Sequence, residues 1–336
     1  MSIIENSAVT VPANVKPACP ESSCPTYYQP ATYVRIRHSL PTGWRRSMSC
    51  LLLFAAYCGF LFFYGLRAGE LYRTESLRAI IAEEFLRSGN WIVPTLYGQP
   101  WLTKPSGMYA AIALVSWPFG GVTEWSARLP SALAATVTVL LFGLYFRRQL
   151  GSAGGWLAAL LLPMSLMWLD KATAAEIDML QVFWVTAAIL CFLRALEDEK
   201  NWFWWLMALL CVAGGVLTKW TAPAFFYGTV IPLLWLHGRL RLLWCRQHLV
   251  SALLGAGVCV AWVMALACQV SWEAFYITVS REALMRLSPL HHHRAYPWLE
   301  TLTHPLRVFG AAMPVSLFAL FALRKGFLRD LDTRER

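Results

Sequence analysis

The sequence predicts an all-α, polytopic integral membrane protein, on three observations. Of its 336 residues, 57% are hydrophobic and only 14% are charged, whereas a soluble domain carries roughly 25% charged residues. Uncharged apolar runs recur along the whole chain, as in 48–66 and 249–268. Basic residues gather in alternate loops between those runs. A run of about 18 or more apolar residues reads as a spanning helix, because about 20 helical residues cross about 30 Å of hydrocarbon. The net charge of +10 then follows from Lys and Arg retained in cytoplasmic loops, and no nucleic-acid partner is expected.

Residues 1–47 are polar and Pro-rich and end on Arg35, Arg37, Arg45 and Arg46. They read as a disordered cytoplasmic tail. The first apolar run lies too far from the start, and is too long, to be a cleaved signal. Cys19 and Cys24 have no His partner at metal spacing. Cys50, Cys58, Cys191, Cys211, Cys259 and Cys268 fall in apolar runs, where a thiol behaves as a small hydrophobe.

With that tail inside, the first helix (48–66) runs outward. Residues 67–127 form one long external segment. Within it, 74–87 reads as an interfacial helix with Leu77, Ile81 and Phe85 on one apolar face, Thr74 as N-cap and Glu83–Arg87 as an i,i+4 pair. Residues 107–119 are apolar but too short to span, so they read as interfacial. The second helix (129–146) returns inward and places Arg147 and Arg148 inside. The remaining spans are 155–169 outward, 177–195 inward, 202–218 outward, 222–237 inward, 249–268 outward and 307–323 inward. Arg194, Lys200, Arg239, Arg241, Arg246, Arg324 and Lys325 then all lie inside, as the positive-inside rule requires. Residues 269–306 are a second large external loop and 324–336 a cytoplasmic tail. Trp202, Trp204, Trp205 and Trp220 suit an interfacial belt. The domain plan is thus 1–47, 48–323 and 324–336.

This topology collects ionisable groups on the external face: Glu75, Lys104 and Arg128, then Asp170, Lys171, Glu176 and Asp178, then Lys219, then His291, His292 and His293. Ionisable groups at a membrane are costly to keep and often functional. Each also has a plainer reading. Asp178 suits a helix N-terminus, Lys104 a snorkelling anchor, Arg128 a helix end, and the histidines solvated imidazoles.

The stretch beginning TESLRAIIAEEF and ending RLPSALAA resembles the first external loop of the bacterial ArnT-like glycosyltransferases, relatives of the protein O-mannosyltransferases with the GT-C fold. The family order is kept as Glu75, Ser88-Gly89-Asn90-Trp91, Pro94, Lys104-Pro105 and Arg128-Leu129-Pro130-Ser131. Further on, AAEIDML carries Asp178 at the matching aspartate, GGVLTKW carries Lys219, and HHHRAYPW resembles the family's H-R-x-P-x-W region. The resemblance runs from about 48 to about 320. It departs at Thr74, where the family has Asp, at Thr103, where relatives often have Glu, and at Trp220, where the family has Gly.

The resemblance implies a GT-C-like fold with about eight spanning helices. It implies a membrane glycosyltransferase of the cell (inner) membrane. The donor would be a polyprenyl-phosphate sugar, hexosyl or pentosyl, and the acceptor a lipid or other envelope molecule on the outer face. Glu75 and Asp178 are then the catalytic carboxylates, and Lys104, Arg128 and Lys219 bind the donor phosphate. No cofactor is firmly implied; a divalent metal at His292 and His293 stays open beside the solvated reading. Relatives continue past the point where this chain stops, so a C-terminally short member or a fragment is expected. The alternatives are a transporter or flippase for a lipid-linked substrate and an inactive truncated relative. A transporter would favour internal repeats, and the sequence displays none.

Overall fold

A computed structural model describes residues 44–287 and 298–320 of the chain. The described residues are mostly helical, as the all-α architecture expected from the sequence requires. Helix α1 (Trp44–Phe63) carries no charge beyond its first turn and buries Cys58 and Phe62 against Ala132, Ala135, Val139 and Trp156. Left-handed glycines at 65 and 69 follow its end.

The next long helical run, α4 (Glu124–Leu161), is a hairpin of two arms. Gly151, at φ 76° and ψ 168°, breaks it. In one straight helix, residues eight apart lie about 12 Å from each other. Here a Cβ on Gly155 would fall 2.2 Å from the Arg147 backbone nitrogen, and one on Gly143 would fall 2.7 Å from the Trp156 ring. The arms therefore lie antiparallel, and small residues permit the approach. The predicted spans 129–146 and 155–169 correspond to these arms, with a correction to the second. It stops at Leu161, passes through a 3-10 turn at 162–164 containing Pro163, and restarts as α5 (Leu166–Ala172) behind an extended Ser165.

Helices α6 (Ile177–Glu197), α7 (Trp202–Thr218), α8 (Ala222–Leu236) and α9 (Arg246–Val270) follow the predicted spans closely. Gly255 lets α9 approach α7 so closely that a Cβ there would meet the Leu209 carbonyl at 2.9 Å. By length and composition, the α4 run with its 3-10 extension, α6 and α9 are apolar enough to cross a membrane, and α1, Gly107–Phe119, α7 and α8 are shorter apolar helices. Ser271, at φ 86°, turns the chain into α10 (Trp272–Leu287), and α11 is Trp298–Ala311. The described residues of the segment 269–306 are thus mostly helical. The predicted span 307–323 is also not one helix: α11 ends at Ala311, and α12 (Val315–Ala319) begins after Pro314.

One correction concerns the segment between α1 and α4. Helix α2 (Thr74–Ser88) sets its predicted apolar face against α3 (Gly107–Ser116), burying Ile81 and Phe85 with Ala82 against Met108, Tyr109 and Ile112. Thr74 is not its N-cap, because that position falls to Arg73 at φ 51°. Between α2 and α3, β1 (Thr95–Leu96) and β2 (Gln99–Pro100) form a minimal antiparallel hairpin. Tyr97 and Gly98 both have positive φ, as a two-residue primed turn requires. Glu84 accepts from the Tyr97 and Gly98 N–H groups and from Thr95 Oγ1. Trp205 lies in the core, not in a belt: it is fully buried between Phe192 and His248, and its indole N–H donates to the Glu199 carbonyl.

Contacts sort the helix ends into two groups. At one end, Asn90 Nδ2 donates to Gln269 Oε1 at the end of α9, and Gln181 of α6 donates to Thr221 before α8. At the other, Gln149 in the turn of α4 donates to Glu197, and Arg239 pairs with Glu199.

Candidate active site

Helix α2 meets the turn between α5 and α6 at the first of these ends. The turn 173–176 has no regular hydrogen bonding of its own, so side chains must satisfy it. Glu75 accepts from the Ala175 N–H at 2.7 Å, and Arg78 Nη1 donates to the Ala175 carbonyl at 3.0 Å. Ser131 Oγ, in the first arm of α4, donates to the Glu176 carbonyl at 3.2 Å. Thr74 Oγ1 donates to the Glu176 carboxylate at 3.1 Å.

Glu75 and Arg128 are given to each other. Arg128 Nε and Nη2 form a fork on Glu75 Oε1 and Oε2 at 3.0 and 3.1 Å. Arg128 also donates to the carbonyls of Leu66, Ala68, Gly69 and Glu70, and Glu75 accepts from the Tyr72 N–H. Both residues are buried, at 8% and 7% exposure. Burial pushes the Glu75 carboxyl up. The Arg128 hydrogen bonds, with the Ala175 and Tyr72 N–H groups, outweigh that and hold it below its ordinary value. Charge-assisted, bidentate and dry, the pair clamps the exit of α1, the start of α2 and the turn before α6 together.

Asp178 and Lys219 form a second, more open pair. Lys219 caps α7 and donates to Asp178 Oδ1 at 2.8 Å, with side-chain exposures of 26% and 37%. Beside them, Lys171 Nζ lies 3.0 Å from Asp170 Oδ2 and 3.6 Å from Glu176 Oε2. Desolvation alone would lower the Lys171 pKa, but Asp170, Glu176 and Asp178 together raise it.

Lys104 is half-buried and donates to the Thr103 carbonyl at 3.2 Å. Its segment abuts the end of α7, because a Cβ on Gly107 would fall 2.6 Å from the Leu217 carbonyl oxygen. The Lys104 segment and the Lys219–Asp178 pair thus flank the contact between Gly107 and the end of α7. His292 and His293 lie outside the described residues. Among the described residues, no group of three His, Cys, Asp or Glu side chains is placed to hold a metal ion. A cleft of about 420 Å³ lined by Leu86, Gly89, Trp91, Trp117 and Gly120 includes none of the predicted residues.

Three contributors were not singled out from the sequence. Arg78 sits on the buried face of α2, one turn from Glu75 and Ala82, which is a readable signal. Ser131 belongs to the Arg128-Leu129-Pro130-Ser131 motif without a role having been assigned to it. The bond from Thr74 to Glu176 joins residues 102 positions apart, and no local pattern announces it.

The chain is similar to several known proteins. A protein of Pseudomonas savastanoi pv. phaseolicola, named undecaprenyl phosphate-alpha-4-amino-4-deoxy-L-arabinose arabinosyl transferase, is 27% identical over 233 residues, covering 67% of this chain and 42% of its own length. A similarly named protein of Sodalis glossinidius is 31% identical over 129 residues, covering 38% of this chain and 23% of its own. The chain thus spans less than half the length of these relatives. The crystal structure of ArnT from Cupriavidus metallidurans bound to undecaprenyl phosphate superposes with a TM-score of 0.64 at 20% identity, covering 80% of this chain and 49% of that one. Residues 103–272, half of the sequence, match the pattern of one family, and the match takes in Lys104, Arg128, Asp178 and Lys219. The chain belongs to the dolichyl-phosphate-mannose-protein mannosyltransferase family.

Proposed function

We propose that the protein is a membrane glycosyltransferase that moves a sugar from a polyprenyl-phosphate donor to a lipid or other envelope acceptor on the outer face of the cell (inner) membrane. The observation that carries this reading is the Asp178–Lys219 pair, 2.8 Å apart and half-exposed at the end of apolar helices, with Lys171 and the Lys104 segment beside it. The leaving group of such a transfer is a lipid phosphate. Its developing charge needs fixed cations where the surroundings are partly dry. Lys219 and Lys104 supply them, and Asp178 fixes the direction of Lys219. Glu75 and Arg128 have no capacity left for substrate, so they act as positioning residues that hold the turn bearing Asp178. The N-terminus is cytoplasmic, which puts this site outside.

The names of the relatives supply a first donor to test. The full chain is reconstituted in vesicles with undecaprenyl phosphate-4-amino-4-deoxy-L-arabinose labelled in the sugar, and with native membrane lipid as acceptor. Label should move to acceptor lipid. Lys219→Ala should lower kcat/KM by about 10²–10³-fold, the usual loss of one group aimed at developing charge. No transfer from this donor or from polyprenyl-phosphate mannose would sink the reading.

A further inference from the structure

We infer that Arg241, Trp244 and Arg246 form a binding site for the phosphodiester headgroup of an anionic phospholipid. The site lies at the end of the helices where Gln149 meets Glu197 and Arg239 meets Glu199. It does not depend on the chemistry at the opposite end.

The chain between α8 and α9 folds as a 3-10 helix at Leu240–Trp244. Its inner side is tied down. Leu242 and Leu243 pack against the core that holds Phe192, Trp205 and Phe226, and His248 Nδ1 donates to the Leu243 carbonyl at 2.6 Å. Residues three apart stand over one another in a 3-10 helix, so Arg241 and Trp244 share one edge of it. Both are exposed, Trp244 at 78%. Two residues on, Arg246 opens α9, and its guanidinium lies over the Trp202 ring at 5.9 Å. Two arginines thus flank an exposed indole on a segment that is anchored from behind.

Charge pairing separates these arginines from the other cations at this end. Arg194 pairs with Glu197, and Arg239 with Glu199. Among the described residues, neither Arg241 nor Arg246 has a carboxylate partner. Depth points to the ligand. The 25 residues of α9 span about 38 Å, more than the roughly 30 Å of hydrocarbon. Arg246, its first residue, therefore reaches headgroup level, with Trp244 beside it. A lipid phosphate there can accept from both guanidinium groups, while its acyl chains lie along the Trp244 ring. A zwitterionic headgroup brings a cation of its own, which the two arginines repel. An anionic headgroup brings none.

The test measures dissociation constants of dioleoyl phosphatidylglycerol and dioleoyl phosphatidylcholine for the detergent-solubilised full chain by native mass spectrometry. The double variant Arg241→Gln with Arg246→Gln should weaken phosphatidylglycerol binding by about 25-fold, or about 5-fold for each basic residue at an anionic lipid surface. Phosphatidylcholine binding should not change. Arg241→Lys with Arg246→Lys keeps the charge and should recover most of the binding. Trp244→Ala should weaken both lipids. Arg148→Gln with Lys200→Gln removes two other exposed cations from the same end and should leave phosphatidylglycerol binding near that of the wild type. Equal loss in the two glutamine double variants would mean diffuse surface charge and overturn the site. Unchanged phosphatidylglycerol binding in Arg241→Gln with Arg246→Gln would also overturn it. So would displacement of the lipid by an equal concentration of glycerophosphoglycerol, which carries the same phosphodiester without acyl chains.

Discussion

Glu75 and Arg128 are committed to each other and to the backbone around them. Removing one partner of a buried pair leaves the other charge unmatched, at a cost of about 3–5 kcal/mol. Arg128→Ala should therefore lower the unfolding free energy of the detergent-solubilised chain by about that amount. Arg128→Lys should fall between, since it keeps the charge but loses the fork. The pH dependence has a definite sign. The folded pKa of Glu75 is depressed from 4.5. Its contribution is thus complete above pH 4.5 and is lost as pH falls through the lower folded value. Thermal scans below pH 4.5 should show this loss in the wild type and less of it in Glu75→Gln. The resemblance marked Glu75 as a catalytic carboxylate and Arg128 as a phosphate ligand, and neither reading foretold that they bond to each other. Two of the partners of Glu75, Arg128 and Ala175, lie 53 and 100 positions away, and only the closed fold brings them to it.

At the scale of elements, the helices with capped, uninterrupted apolar runs were legible, and the contacts between them were not. α7 matches its predicted bounds, 202–218, because Asn201 caps its start and accepts from the Phe203 N–H. The spans around Pro163 and Pro314 were overextended, because hydropathy continues through residues at which the helix geometry fails. The apolar face of α2 was legible from its i,i+4 spacing, but its partner α3 was not, because no local pattern pairs two helices. The approach of α3 to α7 turns on one atom, and it can be tested. Gly107→Ala would place a Cβ 2.6 Å from the Leu217 carbonyl oxygen, a backbone atom at a helix end that cannot swing away. Such overpacking costs about 1–3 kcal/mol. The strain should also move the Lys104 segment away from Lys219, seen as a raised KM for the polyprenyl-phosphate donor. Gly121→Ala is the matched control, because its nearest neighbour would be the Glu83 carboxylate at an ordinary 3.5 Å. Loss of equal size in both variants would separate donor binding from this contact.

For the molecule as a whole, the order of spans was readable because charge and hydropathy alternate along the chain, and each basic loop reports a side independently. The structure adds which ends touch. Arg128, Glu75, Ala175, Asp178 and Lys219 join the end of α1 and the starts of α2, α4 and α6 to the end of α7. Arg239, Glu199, Gln149 and Glu197 join the opposite ends. If the basic end is cytoplasmic, the turn of α4 and the tip of the β1–β2 hairpin lie on opposite sides of the membrane. Arg148 and Tyr97 are both exposed, Tyr97 at 78%, so each can report its side. In a background stripped of native thiols, Tyr97→Cys should react with a membrane-impermeant maleimide on intact cells. Arg148→Cys should react only after permeabilisation. Labelling of both in intact cells would break the alternation on which the external site depends. The reverse pattern would put Asp178 and Lys219 on the cytoplasmic side, where a donor would have to be presented from the inner leaflet.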